Sequence, residues 1–211
     1  MKKAETTEEI SVWDSVVPIV ISGVQRDVYI SDGIGEPGLY NEVCHMLRTS
    51  NKYETITIHL NTPGGIVDSA FMIIDAIKQS KAKVQAHLSG MVASAGTMIA
   101  LSCDSLKVAK HTSFMVHNYS GGIAGKGHEM KARQEFADRS LAKAFTEFYE
   151  GFLTEAEIQE VIDGKDLWID EIEVLERWAN KLTYNKPTTP IVSAAAEKKT
   201  PVRRGRKKAT V

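Results

Sequence analysis

Cysteine is scarce, with only Cys44 and Cys103 in 211 residues. Both lie in apolar, helix-like surroundings and lack the paired spacing of metal ligands. That excludes a disulfide framework and predicts reduced thiols in a cytosolic setting. No run approaches the roughly eighteen uninterrupted apolar residues that a spanning helix needs. The polar opening Met1 to Glu9 has no apolar centre of an export signal. The expectation is a soluble, unexported, cytoplasmic protein. No glycine-rich turn is followed by Gly-Lys-Ser or Gly-Lys-Thr, so no ATP-binding loop is encoded and any ATP dependence must come from another polypeptide. No cofactor or metal is expected, and no internal repeat is visible.

What is present fits one domain of about 180 residues with tails, since 43% of the chain is hydrophobic. The net charge of -1 conceals an asymmetry. Seven of the 26 basic residues, and none of the 27 acidic ones, fall between Lys198 and Lys208. Upstream, Lys186 to Ala196 is rich in Pro, Thr and Ala without hydrophobic periodicity. The expected organisation is an N-terminal segment over 1–26, partly flexible, a folded domain over 27–184, and a disordered basic tail over 185–211. The tail reads as a solvated extension, with nucleic-acid or scaffold binding as the rival reading.

Along the body, strand and helix signals alternate. Asp27 to Ser31 predicts a strand, and Pro37 opens a helix carrying Tyr40, Val43, Cys44 and Leu47 at helical spacing. Two strand–turn–helix units follow. In the first, Thr55 to Leu60 leads through Asn61-Thr62-Pro63-Gly64-Gly65 into a helix over 66–78. In the second, Val84 to Leu88 leads through the small residues Ser89 to Gly96 into a helix over 95–101. Short strands are expected at 106–109 and 113–117. A helix of about twenty-three residues begins at Gly127, with Met130, Ala137, Leu141, Phe145 and Phe148 on one face, long enough to project from the body. Thr154 and Glu157 form a capping-box pattern, Gly164 stops that helix, and Leu167-Trp168-Ile169 reads as an apolar anchor before a last helix over 171–179.

Each turn aims the first N–H groups of a helix at the space above the sheet edge, so the two could converge on one developing negative charge. The second turn also carries Ser94. A helix-capping serine is the plain alternative, but Ala93, Ala95 and Gly96 are the small neighbours expected where a nucleophile stands on a tight turn. Valine at position 92 breaks Gly-x-Ser-x-Gly and argues against an α/β-hydrolase. A serine nucleophile needs a base and the base an orienting group. Of six histidines, His45 and His128 fall in helical patterns, His111 in a turn, and His59 and His87 inside strands. His117 ends the run Phe114-Met115-Val116, and strand ends are where sheets place catalytic groups. Asp166, before Leu167, is a candidate orienting carboxylate or a simple cap.

Asn61 to Gly65, then Gly90 to Gly96, then Phe114 to His117 with Gly121-Gly122, then Gly164 to Trp168, occur in an order and at spacings that closely resemble the Clp protease proteolytic subunit family, ClpP. The resemblance covers residues 27–182. It implies an α/β, ClpP/crotonase-like fold of repeated ββα units with a projecting handle helix, the helix from Gly127. It further implies a serine endopeptidase with Ser94 as nucleophile, His117 as general base and Asp166 as its orienting group. The oxyanion hole would come from the N–H groups of Gly64 and Ala95, and extended peptide would bind along Gly65, Ile66, Ser120, Gly121 and Gly122. Expected partners are copies of the chain in seven-membered rings, stacked in pairs, unfolded polypeptide substrates, and a separate ATP-dependent unfoldase of the AAA+ class. The N-terminal segment and basic tail depart from the family pattern, and the compact chain is similar to bacteriophage ClpP-like proteins, some tied to capsid maturation. Rival readings are a Ser–Lys signal-peptide peptidase, for which no membrane anchor is seen, an acyl-CoA crotonase, which has no need of this serine, histidine and aspartate together, and a catalytically silent ring or scaffold subunit.

Overall fold

The computed structural model describes residues 17–22, 24–122 and 124–185. The expectations for Met1 to Glu9 and for the basic tail lie outside the described residues. Strands β1 (Ile19–Ser22), β2 (Gln25–Ile30), β3 (Thr55–Thr62), β4 (Lys83–Ala93), β6 (Ser113–Val116) and β7 (Leu167–Ile169) form one mixed sheet in that spatial order, and β5 (Ser105–Val108) also pairs with β4. The centre is parallel, β2 with β3, β3 with β4, and β4 with both β5 and β6, while β1 and β7 pair antiparallel at the edges.

Alternation along the strands decides which face is covered. Val28, Ile30, Ile56, Ile58, Leu60, Val84, Ala86 and Leu88 are buried, whereas Asp27, His59 and His87 are half-buried on the other face. Helices α1 (Asn41–Thr49), α2 (Val67–Gln79) and α3 (Ala95–Leu101) supply the apolar cover through Val43, Leu47, Ile73, Ile74, Ile77 and Ile99. Parallel neighbours need such helical crossovers, which is why strand–turn–helix units dominate this chain.

Helix α4 (Gly127–Tyr149) has the anticipated start and length, but only Phe145 and Tyr149 are buried, both in its last two turns. Its N-terminal part therefore stands clear of the sheet, while Phe136 is exposed. Helix α5 (Glu155–Ile162) begins at a capping box in which Thr154 Oγ1 accepts from Glu157 N–H and Glu157 accepts from Thr154 N–H.

The larger departures from the sequence expectation are at β1, β4, α6 and Trp168. Strand β1, not anticipated, runs antiparallel to β2, which itself starts at Gln25. Strand β4 continues through Ser89-Gly90-Met91-Val92 to Ala93, because Met91 to Ala93 finds a new parallel partner in β6 after the register with β3 shifts. Helix α6 (Glu171–Tyr184) runs past Ala179 because Lys181 is buried and its Nζ donates to the carbonyls of Phe148 at 2.8 Å and Glu150 at 3.0 Å. Trp168 is no anchor: in β7 it faces outward, 58% exposed, while Ile169 is buried.

Candidate active site

The turn between β4 and α3 is a single residue, and that residue is strained. Ser94 has φ 52° and ψ -127°, a left-handed conformation usually left to glycine. Its peptide is fixed on both sides. Its N–H donates to Met115 of β6 at 2.9 Å, and its carbonyl accepts from the Thr97 N–H at 2.9 Å and from Thr97 Oγ1 at 2.6 Å. Strain of this kind persists only where surrounding bonds enforce it, and it concentrates at functional sites.

The first turn abuts the second. Gly64 has φ 94°, and a Cβ there would lie 2.5 Å from Ser94 Cβ and 3.1 Å from the Ala95 nitrogen. Only glycine allows this approach, and it brings the N–H-bearing backbones of Gly64 and Ala95 to the serine from two sides. As the first residue of α3, Ala95 has no intrahelical acceptor for its N–H. The Gly64 N–H donates to Thr62 Oγ1 at 3.1 Å. Gly65 lies in the cleft wall, where its own Cβ would collide with the Ile34 carbonyl. Ile34 takes one side of this segment, donating to Gly64 O and accepting from the Ile66 N–H, each at 2.8 Å. The Gly65 peptide groups are thereby turned toward the opposite side.

His117 follows β6 directly. Because Val116 stands opposite Leu167 in the antiparallel β6–β7 pair, continuing the register sets His117 opposite Asp166. Ser94 and His117 are both half-buried and line the same two hollows, whereas Asp166 is exposed. The β6–β7 register leaves His117 and Asp166 at the same end of that strand pair, Ser94 shares its hollows with His117 but not with Asp166, and no pair of the three is joined by a hydrogen bond. Such bonds often tighten only when substrate is bound. One hollow is an open cleft of about 420 Å³ walled by Ile34, Pro63, Gly65, Ile66, Tyr119 and Ser120. The other is a narrow pocket of about 40 Å³, lined chiefly by Val67, Met98, Leu141, Ala144 and Phe145. Gly121 and Gly122 are exposed and outside any strand.

His59 and His87 line neither hollow. On the polar sheet face, His59 Nε2 meets Asp27 Oδ1 at 2.9 Å and the two Nδ1 atoms are 3.1 Å apart. Burial, then His59 and Lys107, hold the His87 pKa below its usual value. Among the described residues no group of three His, Cys, Asp or Glu side chains is arranged to hold a metal, and no helix is long and apolar enough to cross a membrane. Cys44 and Cys103 are free and buried.

Three residues with polar roles at the site escaped the sequence reading. Tyr119 joins the cleft to α4 through Asp138 and Gln134. Beneath Ser94, Thr97 Oγ1 is hydrogen-bonded to the Tyr149 hydroxyl, and both side chains are buried. The signal that could have found Thr97 is a hydroxyl in the first turn of α3, three residues after Ser94. Tyr149 was hidden because an aromatic residue at a helical spacing reads as core.

Comparison with known proteins agrees with this architecture. The Clp protease family model matches residues 20–171. The ATP-dependent Clp protease proteolytic subunit 2 of Pseudomonas aeruginosa is 30% identical over 162 residues, covering 72% of this chain and 77% of that protein. The proteolytic subunit 1 of Chlamydia trachomatis is 23% identical over 157 residues, covering 72% and 82%. The chain belongs to the Clp protease family. It is a ClpP-like protease of mixed α/β fold.

Proposed function

We propose that the chain is a serine endopeptidase acting on extended, unfolded polypeptide within a ring of its own copies. Ser94 is the nucleophile, His117 the general base and Asp166 the group that orients His117. The observation that carries this reading is the serine held at φ 52° against Gly64, at the mouth of hollows it shares with His117.

In the reaction, a ring nitrogen of His117 takes the Ser94 Oγ proton as Oγ bonds to the scissile carbonyl carbon. The oxyanion accepts the Ala95 N–H and the Gly64 N–H, the latter shared with Thr62 Oγ1. The tetrahedral intermediate collapses by breaking the C–N bond, and His117 returns its proton to the leaving amine. Water then hydrolyses the acyl-serine by the same proton route. Substrate lies extended between the Gly65–Ile66 edge and the segment Ser120-Gly121-Gly122. The apolar lining of the narrow pocket supports preference for an apolar side chain next to the scissile bond.

Chamber formation and feeding by a separate AAA+ unfoldase rest on the family resemblance. The relatives' names describe them as proteolytic subunits of an ATP-dependent protease. The decisive test is labelling with a fluorophosphonate probe followed by peptide mapping. The expected adduct is on Ser94 and absent from Ser94→Ala. A native protein that takes no label would favour the silent ring or scaffold subunit.

A further inference from the structure

We infer that Thr97 and Tyr149 are positioning residues for the nucleophile, so that the last residue of the projecting helix sets the reactivity of Ser94. This rests on the proposed role of Ser94. The bond directions follow from the atoms present. A carbonyl oxygen can only accept, so the 2.6 Å contact spends the single Thr97 hydroxyl proton on the Ser94 carbonyl. Thr97 Oγ1 can then only accept from Tyr149, whose hydroxyl is the donor. The chain runs Tyr149 O–H to Thr97 O–H to Ser94 C=O. Thr97 is 0% exposed and Tyr149 1%, so neither hydroxyl can exchange its partner for water. Burial pushes the Tyr149 phenol far above its usual pKa, which keeps it a donor throughout the working pH range.

The peptide this relay holds is the one that matters most to the chemistry. The Ser94 carbonyl belongs to the same peptide unit as the Ala95 N–H, the proposed oxyanion donor. Rotating that unit moves the donor and turns the Ser94 ψ away from its -127°. With the Ser94 N–H tied to Met115, Thr97 supplies the opposing restraint, and Tyr149 fixes the rotamer of Thr97 from α4. Phe145, with its ring centroid 4.3 Å from that of Tyr149, holds the phenol in place. A misplacement of about 1 Å at a reacting group costs on the order of a hundredfold.

The test compares Thr97→Val, Thr97→Ser and Tyr149→Phe with native protein. The readouts are steady-state hydrolysis of a short fluorogenic peptide and the rate of inactivation by a fluorophosphonate. Thr97→Val is expected to lower kcat by roughly ten- to a hundredfold with little change in KM, and to slow inactivation in parallel. Tyr149→Phe should give a smaller loss of the same kind, Thr97→Ser should restore native rates, and the double variant Thr97→Val/Tyr149→Phe should lose no more than Thr97→Val alone, because the hydroxyls act as one relay. Thr97→Val and Tyr149→Phe reacting at native rates would overturn the inference while leaving the Ser94 assignment intact. A loss in Thr97→Val that Thr97→Ser does not repair would also overturn it, since the hydroxyl would not be the cause. Native protein that never labels at Ser94 would instead remove the reading on which the inference rests.

Discussion

At the scale of single residues, the account turns on how little room surrounds Ser94. Gly64→Ala would drive a methyl into the Ser94 side chain at a backbone φ of 94° that alanine resists. Losing one oxyanion donor is worth about 3 kcal/mol, so a fall in kcat of about two orders of magnitude is expected from peptide kinetics. Asp166→Asn should preserve the β6–β7 register yet favour the wrong tautomer of His117, with a loss that reaches about 10⁴ in comparable triads. A variant with native activity would show that exposed Asp166 caps β7 and nothing more. The serine, its small neighbours and the strand-end histidine were legible because turn chemistry and strand punctuation are local. The Thr97–Tyr149 contact joins residues 52 apart in sequence, and no local pattern announces such a pair.

At the scale of elements, α4 needs a revised assembly test. The stripe Met130, Ala137, Leu141, Phe145 and Phe148 reads as one apolar face in sequence, but Phe145 packs inside the chain's own core and walls the narrow pocket. Phe145→Glu would therefore damage the fold as well as any contact between copies. Phe136, 62% exposed on the projecting part, is the cleaner probe. If copies meet through this helix, Phe136→Glu should shift sedimentation toward smaller species without disturbing the circular dichroism of the chain. Unchanged sedimentation would move the contact elsewhere. Helices α5 and α6 are locked by Arg177, whose guanidinium reaches Glu157 and Glu173, each at 2.7 Å. The Arg177 hydrogen bond, helped by Thr154, holds the Glu157 carboxyl down at about 2 from 4.5. A depressed carboxyl stabilises the fold fully above pH 4.5, and that contribution is lost as pH falls toward 2. Arg177→Met should accordingly begin acid unfolding at a higher pH, and its deficit relative to native protein should shrink across that window. A deficit constant with pH would assign Arg177 to packing alone. The long helix was readable from its period, whereas the extension of α6 depended on Lys181 finding the carbonyls at the end of α4. The continuation of β4 likewise depended on a strand twenty residues away.

At the scale of the whole molecule, the sheet sets both turns at one end of its parallel strands, and the residues proposed to carry peptide hydrolysis lie at that end, after β3, β4 and β6 and before β7. The alternation of strands and helices, and hence the α/β class, could be read directly from the sequence. The mixed edges could not, because β1 and β7 are short and earn their pairing from β2 and β6. Removing residues 186–211 should leave cleavage of short peptides unchanged, since the sheet, the turns and His117 all precede them. If the site is enclosed by a ring, a stably folded protein should resist cleavage while a short peptide does not. The measurement that bears most directly on the central claim is hydrolysis of a short fluorogenic peptide by purified native chain and by Ser94→Ala, prepared identically and matched for circular dichroism and sedimentation. The account predicts turnover by the native chain and none above background by Ser94→Ala. Equal rates from the two, with contaminating proteases excluded, would contradict the assignment of Ser94 as nucleophile.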